Sequence, residues 1–196
     1  NEALVCCEKA IMKDPGFAKA HSNMGVAFLF LNETDKAIRK FEDAISINPE
    51  LPAPYLNLAG ILFQQGKFQD AIERLKVVSN FNGPEKPDAL VLWGRCLAIQ
   101  NNFESATEKY KDAIELDPEF GPAYYWWGLL LKGKNDCEKA IEKFQKATEY
   151  KHAYRLDSYG MWGACLEKIN KYQDAIDKYQ KIIDMAPNSN EAQRSK

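Results

Sequence analysis

The sequence predicts an all-α protein built from a repeated helix hairpin, and two columns of small residues carry that prediction. The first column repeats every 34 or 35 positions and contains Gly25, Ala59, Gly94, Gly128 and Gly163. The second keeps the same spacing and contains Ala3, Ala37, Ala71, Ala106, Ala140 and Ala175. Two independent columns that hold one period along the chain indicate an array of stacked structural units.

The segment 123–147 shows one such unit clearly, because two helical patterns lie back to back in it. The first places four residues on one helix face, at i, i+3, i+4 and i+7: Tyr124, Trp127, Gly128 and Leu131. The second has an apolar face made of Ala140, Phe144 and Ala147, after the polar turn 132–136. Gly128 and Ala140 allow the two helices to approach closely, and Trp127 and Phe144 are expected to fill the space beside them.

The predicted helix ends carry residues suited to that position. Between the two helices of each unit stands a residue type that tolerates a left-handed backbone: Asn32, Gly66, Asn101, Asn135 and Asn170. Proline, which cannot continue a helix, ends the second helices at Pro15, Pro49, Pro118 and Pro187. Gly83 and His152 take the proline position in the two remaining units, each one residue longer than its neighbours. Helix geometry at these two joints is left open by the sequence.

These signals divide the chain into a half unit and five full hairpins. Residues 1–17 match only a second helix, so we expect the sequence to be a fragment or a processed form. The full units are predicted at 18–51, 52–86, 87–120, 121–155 and 156–189, and residues 190–196 are predicted as a tail or the start of a capping helix.

The repeated pattern resembles the tetratricopeptide repeat (TPR). That family places an aromatic residue, a Leu, a Gly, a second aromatic, an Ala, a third aromatic and a closing Pro at fixed offsets. One copy here reads Tyr159, Trp162, Gly163, Leu166, Ala175, Tyr179 and Pro187. The resemblance implies a right-handed α-solenoid, with first helices lining a concave groove and second helices on the convex side. Trp93, Trp127 and Trp162 share one repeat position and are therefore predicted to lie in the core.

Composition argues against several classes of function. The formal net charge is −2, which is unlike the clustered basic surface of a nucleic-acid-binding protein. No apolar run approaches the ~18–20 residues that cross a bilayer, and there is no signal-peptide pattern. Five cysteines without a Cys-x-x-Cys spacing predict small hydrophobic residues in a reducing, cytoplasmic compartment rather than a disulfide framework.

No motif in the sequence predicts catalysis. The two histidines, His21 and His152, lie far apart and have no partner at metal-ligand spacing. No phosphate-binding loop or nucleophile elbow is present. We therefore expect no enzyme within these residues, no cofactor and no metal.

The expected site is a surface. Groove positions implied by the resemblance are apolar through the first four units, which is typical of an interaction surface for an apolar or amphipathic peptide. The predicted groove residues are Ser22, Val26, Phe30, Leu56, Phe63, Val91, Arg95, Ile99, Tyr125, Trp126 and Leu129. The chaperone-tail clamp of the family is not expected. Among its matching positions only Asn57 agrees, and Asp88 has the wrong sign.

Two alternatives to a peptide-binding scaffold stay open. The half unit at the start leaves an apolar helix face that a second copy of the chain could cover, which predicts a self-assembling scaffold. The chain could also be the TPR segment of a larger enzyme whose catalytic domain lies elsewhere.

Overall fold

A computed structural model describes residues 2–186 of the chain. Within these residues the chain forms eleven α-helices and no strand. In order they are α1 Glu2–Lys13, α2 Ala18–Phe30, α3 Thr34–Ile47, α4 Pro52–Gln64, α5 Phe68–Ser79, α6 Lys86–Ile99, α7 Phe103–Leu116, α8 Gly121–Gly133, α9 Cys137–Glu149, α10 Arg155–Lys168 and α11 Tyr172–Met185. Asn1, Pro187 and the predicted tail or capping segment 190–196 fall outside the described residues.

The helices pack as the predicted hairpins. α2 packs on α3, α4 on α5, α8 on α9 and α10 on α11. Successive hairpins also touch, through α3 with α4 and α9 with α10. The chain divides into two compact units, residues 1–96 and 97–196, and the division falls inside α6. The predicted all-α repeat fold is therefore confirmed.

Three glycines of the first small-residue column act as the sequence predicts, by letting an aromatic ring lie directly on a helix backbone. A Cβ placed on Gly128 would lie 2.7 Å from Phe144, whose ring is fully buried. The same relation joins Gly25 to Phe41 and Gly163 to Tyr179. Real Cβ atoms do not approach a ring this closely, so glycine is required at these positions. The ring fills the space that the missing side chain leaves, which is how each hairpin closes its core.

The predicted turn residues adopt the left-handed backbone expected of them. Asn32, Asn101, Asn135 and Asn170 have φ between 60° and 66°, and Gly66 has φ of 74°. A left-handed residue at this position reverses the chain within a few residues. The second helix of each hairpin can therefore begin at once and fold back on the first.

Two joints differ from the others, at the places where the repeat lacks proline. Four residues separate α3 from α4 and α7 from α8, whereas six separate α5 from α6 and five separate α9 from α10. At the second of these joints the His152 ring lies against the backbone of Gly121 and accepts a hydrogen bond from the Tyr154 N–H. At the regular joints proline ends the second helix, whereas at this joint the packing and hydrogen bonding of the His152 side chain take that place.

The tryptophan column lies at the border of the core rather than inside it: Trp162 packs against a buried cluster, but its side chain is not fully buried. Trp93, Trp127 and Trp162 are all partly exposed. The Lys143 ammonium lies 4.3 Å from the Trp127 ring centroid, and the Lys178 ammonium lies 4.4 Å from that of Trp162. Each of these two rings lies beneath a lysine from the second helix of its hairpin. The electron-rich face of the ring attracts the ammonium group.

Candidate functional site

Three of the eleven predicted groove residues are buried rather than exposed. Ser22, Val91 and Tyr125 each expose less than a tenth of their surface. They sit on first helices, as predicted, but their side chains pack against neighbouring helices. These three residues therefore support the fold and cannot reach a ligand in this conformation.

Tyr125 is buried because the joint after α9 brings another ring onto it. The Tyr154 ring stacks on Tyr125 with centroids 4.8 Å apart and planes only 2° from parallel. Trp126 closes the cluster edge-on, 5.3 Å from Tyr125 and 5.6 Å from Tyr154. Leu129 also packs here, partly buried. Trp126 therefore contributes to packing within residues 97–186 rather than standing free as an anchor.

The other predicted residues of the first compact unit remain partly or fully accessible. We call them the unit-1 apolar face and define it as Val26, Phe30, Leu56, Phe63 and Arg95. Phe30 is 85% exposed at the last residue of α2, an unusual position for so large an apolar side chain. Ile99, at the corresponding repeat position of α6, is 51% exposed, but it belongs to the second unit.

Arg95, which stacks on the Phe63 ring, gives this face one charged end. The Arg95 guanidinium lies 4.4 Å from the centroid of the Phe63 ring, which is stacking distance. Arg95 is also the only charged residue of the five that define the face. An interface that combines an exposed aromatic residue with an arginine has the composition of a binding hot spot.

Gly60 leaves a gap in the middle of α4. A Cβ built there would meet nothing within 4 Å, so the helix backbone is open to solvent at this point. It lies one position after the small-residue column, as a groove position does in the resemblance. A ligand side chain could therefore approach the backbone of α4 between Leu56 and Phe63.

The histidine side chains make contacts that support the fold. His21 is buried and its Nε2 lies 3.2 Å from the Pro15 carbonyl oxygen. Tyr124, at the same repeat position, donates its hydroxyl to the carbonyl oxygen of Pro118 over 3.1 Å. Both side chains thus tie a first helix to the end of the preceding one. Among residues 2–186, no group of three or more His, Cys, Asp or Glu could hold a metal ion.

The described residues form an α-helical repeat protein, and its candidate binding site is an exposed surface. Two family models described as tetratricopeptide repeat match the chain, over residues 32–91 and 161–189. The hairpins, the Gly–aromatic contacts and these matches agree, and the chain belongs to the tetratricopeptide-repeat family. None of its described helices is long and apolar enough to cross a membrane.

Among curated proteins, the small glutamine-rich tetratricopeptide repeat-containing protein 2 of Saccharomyces cerevisiae is 29% identical over 109 residues. The match covers 56% of this chain and 29% of the yeast protein, so the chain spans less than a third of that relative's length.

Two solved structures illustrate the likeness of fold. PilW, a widely conserved type IV pilus biogenesis factor, superimposes with a TM-score of 0.81 at 21% identity, over 96% of this chain and 86% of its own. YrrB, a TPR protein with an unusual peptide-binding site, gives a TM-score of 0.61 at 17% identity, over 96% of each chain. At these identities the likeness concerns the fold alone.

Sequence reasoning missed one feature of the site region. Cys137 and Cys165 lie 28 positions apart, with no spacing that marks a pair, yet both are buried in one cluster of the second unit. Only the packing of α9 on α10 brings them together.

Proposed function

We propose that this chain is a non-catalytic protein–protein interaction scaffold that binds an apolar or amphipathic peptide on the unit-1 apolar face. The observation that carries the proposal is Phe30, a large apolar side chain left 85% exposed beside further accessible apolar residues. Such a surface is costly to leave in water, and on a folded protein it usually marks a binding site. YrrB, with the same fold, is a TPR protein with a peptide-binding site, which supports this use of the fold here.

The chemistry of the face suggests the character of its ligand. Val26, Leu56 and Phe63 offer apolar contacts, and Gly60 leaves room for a ligand side chain to approach α4. Arg95, stacked on Phe63, supplies a cation with hydrogen-bond donors at the edge of the apolar surface. A peptide with apolar residues and a nearby acidic or carbonyl group would satisfy both parts of the face.

Replacing Phe30 by serine is expected to weaken partner binding about tenfold, because a central aromatic contact at an interface contributes more than about 1 kcal/mol. The measurement is capture of partner proteins from lysate by the immobilised chain, followed by titration of the captured partner. Met12→Ser is the matched control, since Met12 is 83% exposed but lies on α1, which contributes none of the five residues that define the face. A captured partner that Met12→Ser and Phe30→Ser affect equally would contradict the proposal.

A second candidate function is self-association through the apolar residues of α1. No residue of α1 is buried, and Val5 and Met12 present apolar surface to solvent. A second copy that covered this surface would remove it from water, which favours association.

If the chain self-associates in this way, the average mass seen by sedimentation should rise with protein concentration. Met12→Ser should then shift the chain back towards the monomer, because it removes the largest exposed apolar side chain of α1. Phe30→Ser serves here as the control variant. A monomer at all concentrations would rule out self-association and leave the peptide-binding proposal untouched.

Two further expectations belong with this proposal. The absence of a catalytic constellation in the sequence favours a non-enzymatic role for this segment, while a catalytic domain elsewhere in a longer protein stays an alternative. A cytoplasmic location is supported by five cysteines that are all free thiols. Fractionation of cells that express the chain at its natural level would test the location.

A further inference from the structure

The contact between α9 and α10 contains two thiols. Cys137 is the first residue of α9 and is 4% exposed, while Cys165 lies within α10 and is fully buried. Both belong to one apolar cluster that also contains Ala140 and Phe144. Within this cluster the two thiols interact, and the neighbouring Cys137 contributes to the raised pKa of Cys165.

The repeat does not require this pair. The position of Cys137 is occupied by Thr34, Phe68, Phe103 and Tyr172 in the other second helices. The position of Cys165 is occupied by Ala27, Ile61, Cys96 and Leu130 in the other first helices. Two thiols therefore face each other at this joint alone among the corresponding positions of the repeat, and ordinary core packing is achieved elsewhere without them.

One of the two thiols can be reached from solvent. Cys137 forms part of the wall of a surface pocket of about 460 Å³, together with Lys168 and the turn residues Lys134 to Asp136. Cys165 does not line this pocket and is fully buried. A small oxidant entering the pocket would therefore meet Cys137 first.

We propose that Cys137 and Cys165 form a reversible disulfide, a peroxide-sensitive modification site that links the second helix of one repeat to the first helix of the next. Hydrogen peroxide oxidises the Cys137 thiol to a sulfenic acid and releases one water. The Cys165 sulfur then attacks the Cys137 sulfur, the S–O bond breaks, and a second water leaves with the Cys165 proton. The two thiols lose two electrons and two protons in total, and the peroxide is reduced to two waters.

The environment of Cys165 suits the role of second reactant. Burial, together with the neighbouring Cys137, raises the pKa of Cys165 to about 12, so it stays a protonated, unreactive thiol in the resting state. Lys132 and Lys168 act in the opposite direction and lower its pKa by their charge. The two ammonium groups would stabilise the Cys165 thiolate as it forms during attack on an oxidised Cys137.

The chain provides a matched control in Cys96. It occupies the same repeat position as Cys165, is fully buried, and has a pKa raised by burial to about 11. The position that corresponds to Cys137, in the hairpin that precedes that of Cys96, is Phe68, which has no thiol. Cys96 therefore shares the burial of Cys165 and lacks its neighbour.

The test uses the full chain with Cys6→Ser and Cys7→Ser, which removes the two thiols of α1 and leaves three. After treatment with hydrogen peroxide, two of the three thiols should be lost, the mass should fall by about 2 Da, and dithiothreitol should reverse both changes. Proteolysis without reductant should yield one linked pair of peptides containing Cys137 and Cys165. The melting temperature of the oxidised chain should rise by several degrees.

Two variants separate the steps. Cys165→Ala should stop the reaction at a sulfenic acid on Cys137, which dimedone traps, and Cys96→Ala should behave as its parent. Retention of all three thiols, oxidation of Cys137 to higher acids without a link, or a link that includes Cys96 would overturn the proposal. If a variant fails to fold, peptide mapping of the parent chain still distinguishes the Cys137–Cys165 link from these outcomes.

Discussion

Replacing Gly128 by alanine is expected to destabilise the fold, whereas the same replacement at Gly60 is expected to stabilise it. Both glycines lie inside first helices, where alanine is intrinsically better than glycine by up to about 1 kcal/mol. At Gly60 a Cβ meets nothing within 4 Å, so this gain should appear undiminished. At Gly128 the Cβ would lie 2.7 Å from the buried Phe144 ring. Overpacking of this kind costs about 1–3 kcal/mol, which outweighs the gain.

The Phe144 ring determines how strongly Gly128→Ala destabilises the fold. In the unit 52–86 the corresponding pair is Ala59 and Leu75, with the same separation of 16 positions as Gly128 and Phe144. In that unit the column residue is larger, Ala in place of Gly, and the side chain that faces it is smaller, Leu in place of Phe. Phe144→Leu should by itself lower stability because it leaves a cavity. Combined with Gly128→Ala it should cost less than the sum of the two single changes.

Urea denaturation followed by tryptophan fluorescence provides the measurement, because Trp126, Trp127 and Trp162 all lie in the second unit with Gly128. The double-mutant cycle should give a coupling of about 1 kcal/mol or more in the favourable direction. Additive effects would show that the ring can move away from the new methyl group without cost. A stabilised Gly128→Ala would contradict the close packing of α8 on α9.

Acidification from about pH 7.5 to about pH 5.5 is expected to weaken the α9–α10 joint through protonation of His152. In the neutral ring Nε2 donates to the Ala147 carbonyl oxygen over 2.8 Å and Nδ1 accepts the Tyr154 N–H over 3.2 Å. Protonation places a hydrogen on Nδ1 and removes the acceptor. Tyr154 is the ring that stacks on Tyr125, so loss of this bond loosens the aromatic cluster as well.

Burial lowers the pKa of His152 below its ordinary value of 6.5, and the Arg155 charge lowers it further. The hydrogen bond to Ala147 and the Asp157 charge act in the opposite direction without reversing the shift. A histidine whose pKa is lower in the folded chain stabilises that chain above the unfolded pKa. The stabilisation decreases as the pH falls below about 6.5 and is lost once the pH has passed the folded value.

Thermal melts at several pH values, compared between the parent chain and His152→Gln, test this prediction. Glutamine has an amide that can still donate to Ala147 but does not titrate in this range. The parent should lose melting temperature on acidification, and the variant should lose less of it. Parallel pH profiles for the two proteins would assign the acid sensitivity to other groups and remove the proposed role of His152.

Much of the fold could be predicted from the sequence because the same residue types recur at the same positions of each repeat. The Asn and Gly turn residues require a backbone that few other residues adopt, and five copies at one position leave little ambiguity. The Gly–aromatic pairs are equally local, since both partners belong to the same hairpin. The period and the core contacts within a hairpin therefore follow from spacing alone.

The exposure of the predicted groove residues was predicted less completely. Phe30, Phe63 and Arg95 lie on the unit-1 apolar face at the expected positions, but Ser22, Val91 and Tyr125 are buried. A repeat position predicts which way a side chain points from its own helix. It does not predict which residue of a neighbouring element covers that side chain. The joint at His152 shows this, because its extra residue brings Tyr154 onto Tyr125.

The sequence by itself determined the class of protein: an all-α array of helix hairpins with a fixed period, left-handed turn residues and a small residue beneath each ring. Only the tertiary structure decided that Trp127 lies under Lys143, that Tyr125 is buried, and that Cys137 and Cys165 share one buried cluster. The physical reason is the range of the interactions. Helix periodicity and turns depend on neighbouring residues, whereas exposure and thiol pairing depend on contacts between helices that are distant in the sequence.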